Sequence, residues 1–538
     1  MKVYLMKNYL LILLLFPLTV WGQQEYEFNQ DKSKLSLIID KRKTKLSLNN
    51  LMVRRQGQPL PEAKLYSLGI NMDTIGVWKS LGDGRNAWMM EIDVPEAKGF
   101  FVSFDKFYLP KGAQLYVYNK NNSKDAIVYT NEDNPKGGAY SLENLSGDNV
   151  ILEYVATETL LEKPIIKFYD LGYKYITGET GDSEGFNSPA NACMTNASCP
   201  AADYWENQRK GILRIRIRKG GVSSLCSGSL INNTNNDKTP YVLSAEHCFR
   251  NVSADDVLKT EVYFDYDSPT CTPNNLPTYK FHKGAELLVL TPMKGSSDGA
   301  LIKLTGSIPT DWDVYYNGWE LDNNGNNVTD GSVIHHPKGD IKKITFYNRN
   351  LISGKWDDDD PTAPDGTHWI VRYSSGATEE GSSGAPIFNQ NGLIVGTLSG
   401  GYSSCNSQNG YDYYGKFWYH WDQHPDTNLH MKKYLDPDNT GLTEVGGLQN
   451  NEGVDPGPNP EQQPDIVYYI DGDKLRVYAK DIIKKIRVVN LHGNTVFSKT
   501  DDFSSSVYDI SIDTWRNGVY VLSVDMEGRS TKSIKIIK

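Results

Sequence analysis

Three short blocks carry side chains suited to acyl transfer. Gly381-Ser382-Ser383-Gly384-Ala385-Pro386 sets a serine between glycines, ahead of the apolar runs Ile387-Phe388 and Gly392-Leu-Ile-Val-Gly396. Such a turn can present the Ser383 hydroxyl outward while the surrounding N–H groups converge on one point, as a nucleophile and its oxyanion hole require. Upstream, Tyr241-Val-Leu-Ser-Ala-Glu-His247-Cys248 reads as a strand running into a histidine, and Ser297-Asp298-Gly-Ala-Leu-Ile-Lys-Leu304 sets an acid at the start of another strand. Each block alone has an ordinary explanation as a small-residue turn, a packed imidazole or a turn acid. Together they supply a nucleophile, a base and an acid to orient the base.

The chain order His, Asp, Ser is that of the chymotrypsin-type triad and differs from the subtilisin and α/β-hydrolase orders. At these blocks the sequence resembles the trypsin-like serine endopeptidases, specifically the bacterial lysyl endopeptidase branch. The likeness runs from about Cys193 to Leu448 and includes Cys226-Ser-Gly-Ser-Leu-Ile-Asn232, His335-His336-Pro337, Gly400-Gly401-Tyr-Ser-Ser-Cys405 and Tyr434-Leu-Asp-Pro437. The resemblance implies an all-β chain with a chymotrypsin-like double barrel. It assigns Ser383 as nucleophile, His247 as general base, Asp298 as its orienting partner, and the N–H groups of Gly381 and Ser383 as the oxyanion hole. An esterase would need a strand-to-helix nucleophile elbow, and no helix is expected near Ser383.

The resemblance also implies a specificity pocket. Ser399-Gly400-Gly401 is expected to form an edge strand that pairs with substrate backbone and leaves the pocket mouth open. Asp412, in Gly410-Tyr-Asp-Tyr-Tyr-Gly-Lys416, matches the position whose carboxylate meets a basic side chain; Asp422 and Asp426 lie close enough in sequence to compete. Strict lysyl endopeptidases carry histidine where this chain has Ser399, stacked on a tryptophan that here corresponds to Trp356. Lysine is the favoured substrate residue, and arginine is an alternative. The trypsin branch has Asp before the nucleophile to capture a new N-terminal ammonium. Ser382 stands there, so loss of the N-terminal part is expected to act by unblocking the site.

Composition agrees with export. The chain has 538 residues, a net charge of −10 and 33 tyrosines, with pI near 5.5; no basic stripe suggests nucleic acid, and helical periodicity is scarce. Residues 1–22, with Lys2 and Lys7 ahead of Leu10–Leu15 and the exit Trp21-Gly22-Gln23, read as a signal peptide, too short to span a membrane. No later stretch reaches transmembrane length. The six cysteines, at 193, 199, 226, 248, 271 and 405, suggest three disulfides in an exported chain, and arithmetic alone leaves their pairing open. The family resemblance implies Cys193–Cys405, Cys199–Cys271 and Cys226–Cys248. Without a Cys-x-x-Cys repeat, no metal is expected, and no other feature points to a cofactor.

Around the catalytic segment, assigned to 181–448, further units are expected. Residues 23–180 alternate with period two, as in Phe100–Phe104, Gln114–Tyr118 and Asn149–Tyr154, and read as a β-sandwich placed like a propeptide. Thr177–Pro189 reads as a linker open to cleavage, with Lys174 the nearest basic residue for self-processing. Residues 449–465 are a Pro-rich spacer. Residues 466–538 read as a small sandwich whose Asn517-Gly518-Val-Tyr-Val block and terminal Lys-Ile-Ile-Lys538 resemble type IX secretion sorting domains. The expectation is a secreted or surface-held serine endopeptidase acting on proteins or peptides, with the type IX machinery as partner. The alternative is a catalytically silent trypsin-like adhesin. Asp357–Asp360 reads as a solvated acidic loop, lacking the glycine and distal glutamate of a calcium loop.

Overall fold

The computed structural model describes residues 36–38, 59–174 and 190–538, apart from 95–96, 98, 273–276, 357–363, 407–409, 452–453, 456–464, 472 and 501–505. The signal-like segment 1–22, the linker Thr177–Pro189 and the run Asp357–Asp360 lie outside the described residues, as does most of the Pro-rich spacer.

The chain is all-β. Its N-terminal part has the expected sandwich: one sheet is built on Arg85–Asp93, Asn149–Thr157, Gln114–Asn119 and Asn122–Tyr129, the other on Leu60–Ser67, Ile165–Lys174, Gly99–Tyr108 and Gly138–Ser146. Alternation sends Trp88, Met90, Ile92, Phe100, Val102, Phe104, Leu152 and Phe168 into a common core. The second sheet does not end there. Leu60–Ser67 also pairs antiparallel with Val222–Leu230, in register Val222 with Lys64, Ser223 with Ala63 and Leu225 with Leu60. One sheet therefore runs from the sandwich into the strands that carry the catalytic blocks, and Tyr263, Tyr266, Phe281 and Ile341 of the latter share the sandwich's hydrophobic core. Strand patterning gave no hint of this continuity, because period two fixes which face is buried and not which neighbour pairs.

The segment 190–448 consists of two β units. In the first, Ile212–Lys219, Val222–Leu230, Tyr241–Ala245 and Glu261–Asp267 join Ala285–Thr291 and Gly299–Leu304 around a core that includes Ile215, Leu230, Val242, Phe264 and Ile302. In the second, Gly331–His335, Lys343–Tyr347, Pro386–Phe388, Ile394–Gly401, Asp412–Lys416 and His368–Val371 surround Val333, Trp369, Ile387, Val395 and Tyr414. This pairing of β units, with site residues drawn from both, is the chymotrypsin-like arrangement. The disulfides are Cys193–Cys405, Cys199–Cys271 and Cys226–Cys248. Beyond them, Ile466–Asp471, Lys474–Ala479 and Val507–Ser511 face a four-stranded sheet over Leu475, Ile486, Val488, Leu522 and Val524. Among the described residues no helix is long and apolar enough to cross a membrane.

Candidate active site

Tyr241–Ala245 pairs with Gly299–Leu304 so that Ala245 lies opposite Gly299. The residues just past one strand and just before the other therefore meet, and these are the helical turn Glu246–Phe249 and Asp298. His247 Nδ1 lies 2.8 Å from Asp298 Oδ2, and the His247 backbone N–H donates to Oδ1 at 2.9 Å. Both side chains are fully buried. Asp298 holds a left-handed backbone at φ 59°, a conformation that costs a non-glycine residue energy and is retained here by these contacts. Burial alone would raise its carboxyl pKa. The His247 ring and backbone N–H, together with the Ser399 hydroxyl, outweigh that and hold it below the usual carboxylate range. An ionised Asp298 can only accept, so the ring proton sits on Nδ1 and is donated to Oδ2, which leaves the lone pair on Nε2; Nε2 is buried without a hydrogen-bond partner. Cys226, His247 and Cys248 bring ligand atoms within 4.8 Å of one another, but both sulfurs are spent in a disulfide, so the trio cannot ligate a metal.

Ser383 comes from the second unit. Gly381 and Gly384 have φ of 92° and 81°, and a Cβ on Gly381 would lie 2.9 Å from the backbone of His336 and Gly339. Among the described residues neither the Gly381 nor the Ser383 N–H donates to a backbone carbonyl, whereas the flanking Ser382 and Gly384 N–H groups donate to Glu379 and Leu398. Two free donors thus bracket the serine, and the loop is pinned from several sides. Ser227 receives the Ser383 carbonyl on its N–H at 2.8 Å and the Gly381 carbonyl on its hydroxyl at 2.9 Å. Ser382 Oγ lies 2.7 Å from His335 Nδ1 and accepts from the Glu379 N–H. His335 is buried, which pushes its pKa down to about 3, so the Ser382 latch is neutral and needs no new N-terminus. No hydrogen bond joins Ser383 Oγ to His247 Nε2; such contacts commonly tighten once substrate binds.

Ser399 occupies a bulge, between Leu398 and Gly400 in the pairing of Ile394–Gly401 with Asp412–Lys416. The bulge re-aims its side chain. The hydroxyl lies 3.2 Å from His368 Nε2 and helps keep Asp298 ionised, while His368 Nδ1 lies 2.8 Å from Thr367 Oγ1. Trp356, the expected stacking partner, sits 6.3 Å from the His368 ring at 40°. An imidazole therefore does lie beside this tryptophan, contributed by the strand His368–Val371 and not by position 399. Gly400 and Gly401 pair with Tyr413 and Asp412.

Asp412 is buried, opposite Gly401. Its Oδ2 accepts from Tyr373 OH at 2.8 Å, Thr378 Oγ1 at 2.6 Å and Ser403 Oγ at 2.7 Å, and its Oδ1 accepts from the Ser403 N–H at 3.0 Å. Among the described residues no Lys, Arg or His forms an ion pair with it. The other acids are engaged elsewhere: Asp422 faces Lys432 at 3.9 Å, and Asp426 caps a turn at Asn428.

Sequence reasoning missed His368 and also His420, whose Nδ1 lies 2.7 Å from Ser297 Oγ and Nε2 3.0 Å from Thr397 Oγ1. Neither belongs to a motif; each earns its place through strand neighbours far away in sequence. Burial drives the pKa of His368 down to about 4 and of His420 to about 3, and it holds His336 well below 6.5. With His335, and with His282, whose pKa burial also lowers, these imidazoles are held toward the neutral form when folded and regain a value near 6.5 when unfolded. Between pH 6.5 and about 4 the unfolded chain therefore binds more protons, and stability falls as pH falls. Urea unfolding of the catalytic segment, followed from pH 7 to 4.5, is expected to show uptake of about four protons. His420→Gln should remove about one of them.

Residues 188–415 match the family described as lysyl endopeptidase, C-terminal domain, and residues 458–538 match the secretion system C-terminal sorting domain. The lysyl endopeptidase of Pseudomonas aeruginosa is 26% identical over 295 residues, covering 51% of this chain and 60% of that relative. Among solved structures, an HtrA-type protease AlgW with tripeptide aligns at 12% identity over 62% of this chain and 95% of its own, TM-score 0.30. An inactivated protease paralogue of the scabies mite aligns at 15% identity over 40% and 92%, TM-score 0.29. The two family matches fall on separate stretches of the chain, the lysyl endopeptidase match on residues 188–415 and the sorting-domain match on 458–538, and the chain spans 60% of the length of its curated relative.

Proposed function

We propose that this chain is the precursor of a secreted serine endopeptidase that cuts on the carboxyl side of lysine. Ser383 Oγ attacks the scissile carbonyl as His247 Nε2 takes its proton; the tetrahedral oxyanion sits on the Gly381 and Ser383 N–H groups. His247 then protonates the leaving amine, and water repeats the cycle on the acyl-enzyme. Asp298 stays ionised throughout, fixing the tautomer and stabilising the imidazolium. The sorting domain directs the product outward through type IX export.

The observation that carries the reading is the buried His247–Asp298 pair, with its unpaired Nε2, beside a serine bracketed by two undonated N–H groups. Lysine is favoured by the way Asp412 is filled. Oδ2 already accepts three donors and Oδ1 one, so a fork that needs both oxygens finds no room, whereas an ammonium can approach Oδ1 as a point charge.

A fluorophosphonate probe tests the mechanism, because its phosphorus bonds to an activated serine oxygen as fluoride leaves. Wild-type protein should be labelled on Ser383, and Ser383→Ala and His247→Ala should not. Labelling that survives Ser383→Ala would refute the assignment.

A further inference from the structure

The strand Ile212–Lys219 reads Ile-Leu-Arg-Ile-Arg-Ile-Arg-Lys, with arginines at every second position inside a core strand. Period two sends all three to one face, and there each meets a carboxylate of the N-terminal sandwich. Arg214 and Arg216 are buried. Glu62 accepts from Arg216 Nε at 2.5 Å and Nη2 at 2.7 Å, from Arg214 Nη2 at 3.1 Å, and from Ser223 Oγ at 3.3 Å. Glu143 meets Arg216 at 2.7 Å and Asp170 meets Arg218; the arginines' own part of the chain supplies Glu261, at 2.8 Å from Arg216, and Asp256, at 3.6 Å from Arg218. Arg214 Nη1 is buried and lacks a hydrogen bond even so. Stripped of the sandwich, Arg214 and Arg216 would face one carboxylate between them. Buried cations left so are costly, and the surface would call for an acidic occupant.

This surface borders the candidate active site. Glu62 stands at the bulge where Leu60–Ser67 pairs with Val222–Leu230. That strand's Leu225 lies two residues before Ser227, whose N–H holds the Ser383 carbonyl. In the proposed mechanism the acyl part of a substrate lies along Ser399–Gly401. The residues after the scissile bond would then leave on the other side of Ser383, where Ser227, bonded to the Ser383 carbonyl, brings in the strand Val222–Leu230. Leu60–Ala63 already occupies its Val222–Leu225 edge as an added strand.

We propose that the Val222–Leu225 edge and the Arg214–Arg216 pair form a docking site for an extended, carboxylate-bearing peptide segment on the leaving-group side of Ser383, and that the chain's own Leu60–Ala63, through Glu62, fills it before processing. The inference rests on the protease reading. It makes the N-terminal sandwich a block on one half of the substrate path, held by charge as well as by strand pairing. The shared core and buried ion cluster also hold the sandwich in place after the linker is cut.

The test uses the full, uncut chain and two lysine substrates: a short lysyl nitroanilide with nothing beyond the scissile bond, and a quenched peptide extending six residues past it. The uncut chain should hydrolyse the short amide and cleave the long peptide at least tenfold less efficiently than it does after cleavage within residues 175–189 and removal of the sandwich by mild urea. Glu62→Gln, and independently Glu143→Gln, should raise the ratio of long to short cleavage in the uncut chain at least fivefold. In the Glu62→Gln chain, a long peptide with Glu two residues past the lysine should outcompete its Gln counterpart, and added salt should erase the difference. Equal treatment of both substrates before and after cleavage, a block of both that lifts together, or an unchanged ratio in both variants would overturn the proposal. If the short amide is cut in no state, the protease reading itself fails.

Discussion

Asp298→Asn is expected to lower kcat for a lysyl amide about 10,000-fold with little change in KM, matching the loss that the same change causes in other triads. The contacts of Asp298 explain why the loss should be so large. Its Oδ1 accepts from the His247 backbone N–H, so an amide would keep its oxygen there and turn its NH2 toward Nδ1. A donor at Nδ1 forces the ring proton onto Nε2 and removes the lone pair that must receive the Ser383 proton. The imidazolium formed during turnover also loses its counter-charge in a fully buried site. Because His247, Ser399 and the Gly381 turn keep their places, the fold and the oxyanion donors should survive. Steady-state kinetics beside a circular dichroism melt separates the two: kcat collapses while the melt stays close to wild type. A loss of tenfold or less would mean that Asp298 is not the orienting acid.

The second large effect is expected at Asp412. Asp412→Asn should reduce kcat/KM for a lysyl amide by roughly two to four orders of magnitude, about 3–5 kcal/mol, the scale on which a buried charge loses its partner. The same variant should lose far less on a norleucyl amide, which never presented a cation. Four protein donors surround the carboxylate and none is a cation, so the incoming ammonium is its only prospective counter-charge among the described groups. For the wild type the crowding at Oδ2 predicts a lysyl amide favoured over its arginyl counterpart. Equal kcat/KM for the two would show that Oδ2 yields to a guanidinium, and a wild-type-like Asp412→Asn would remove Asp412 from the pocket altogether.

Much of this site was legible because its parts are local. A serine between glycines, a histidine at the end of one apolar strand and an acid at the start of another are each readable within eight residues, and chain order joins them. The pairing of Ala245 with Gly299 then brings His247 to Asp298, a contact that no single block contains. What stayed hidden is non-local. His368 reaches Ser399 through a neighbouring strand, and His420 reaches Ser297 from the turn after Lys416. The sequence allowed Ser399 only a missing stack, whereas its hydroxyl lies beside His368 and helps keep Asp298 ionised. The continuity of the sandwich with the first β unit depends on which edge Leu60–Ser67 adds to, and alternation is silent about partners. The arginines at 214, 216 and 218 were visible as charges within an apolar strand, a pattern that demands buried counter-charges, yet nothing in the sequence says that Glu62, Glu143 and Asp170 supply them.

Serine-dependent cleavage after lysine is read from the set of new peptide ends that the processed enzyme makes in a denatured protein, by mass spectrometry beside Ser383→Ala. New carboxyl termini are expected at lysine, few at arginine, and none with the alanine variant. New ends with no preference for basic residues, or the same ends from Ser383→Ala, would contradict serine-dependent cleavage after lysine.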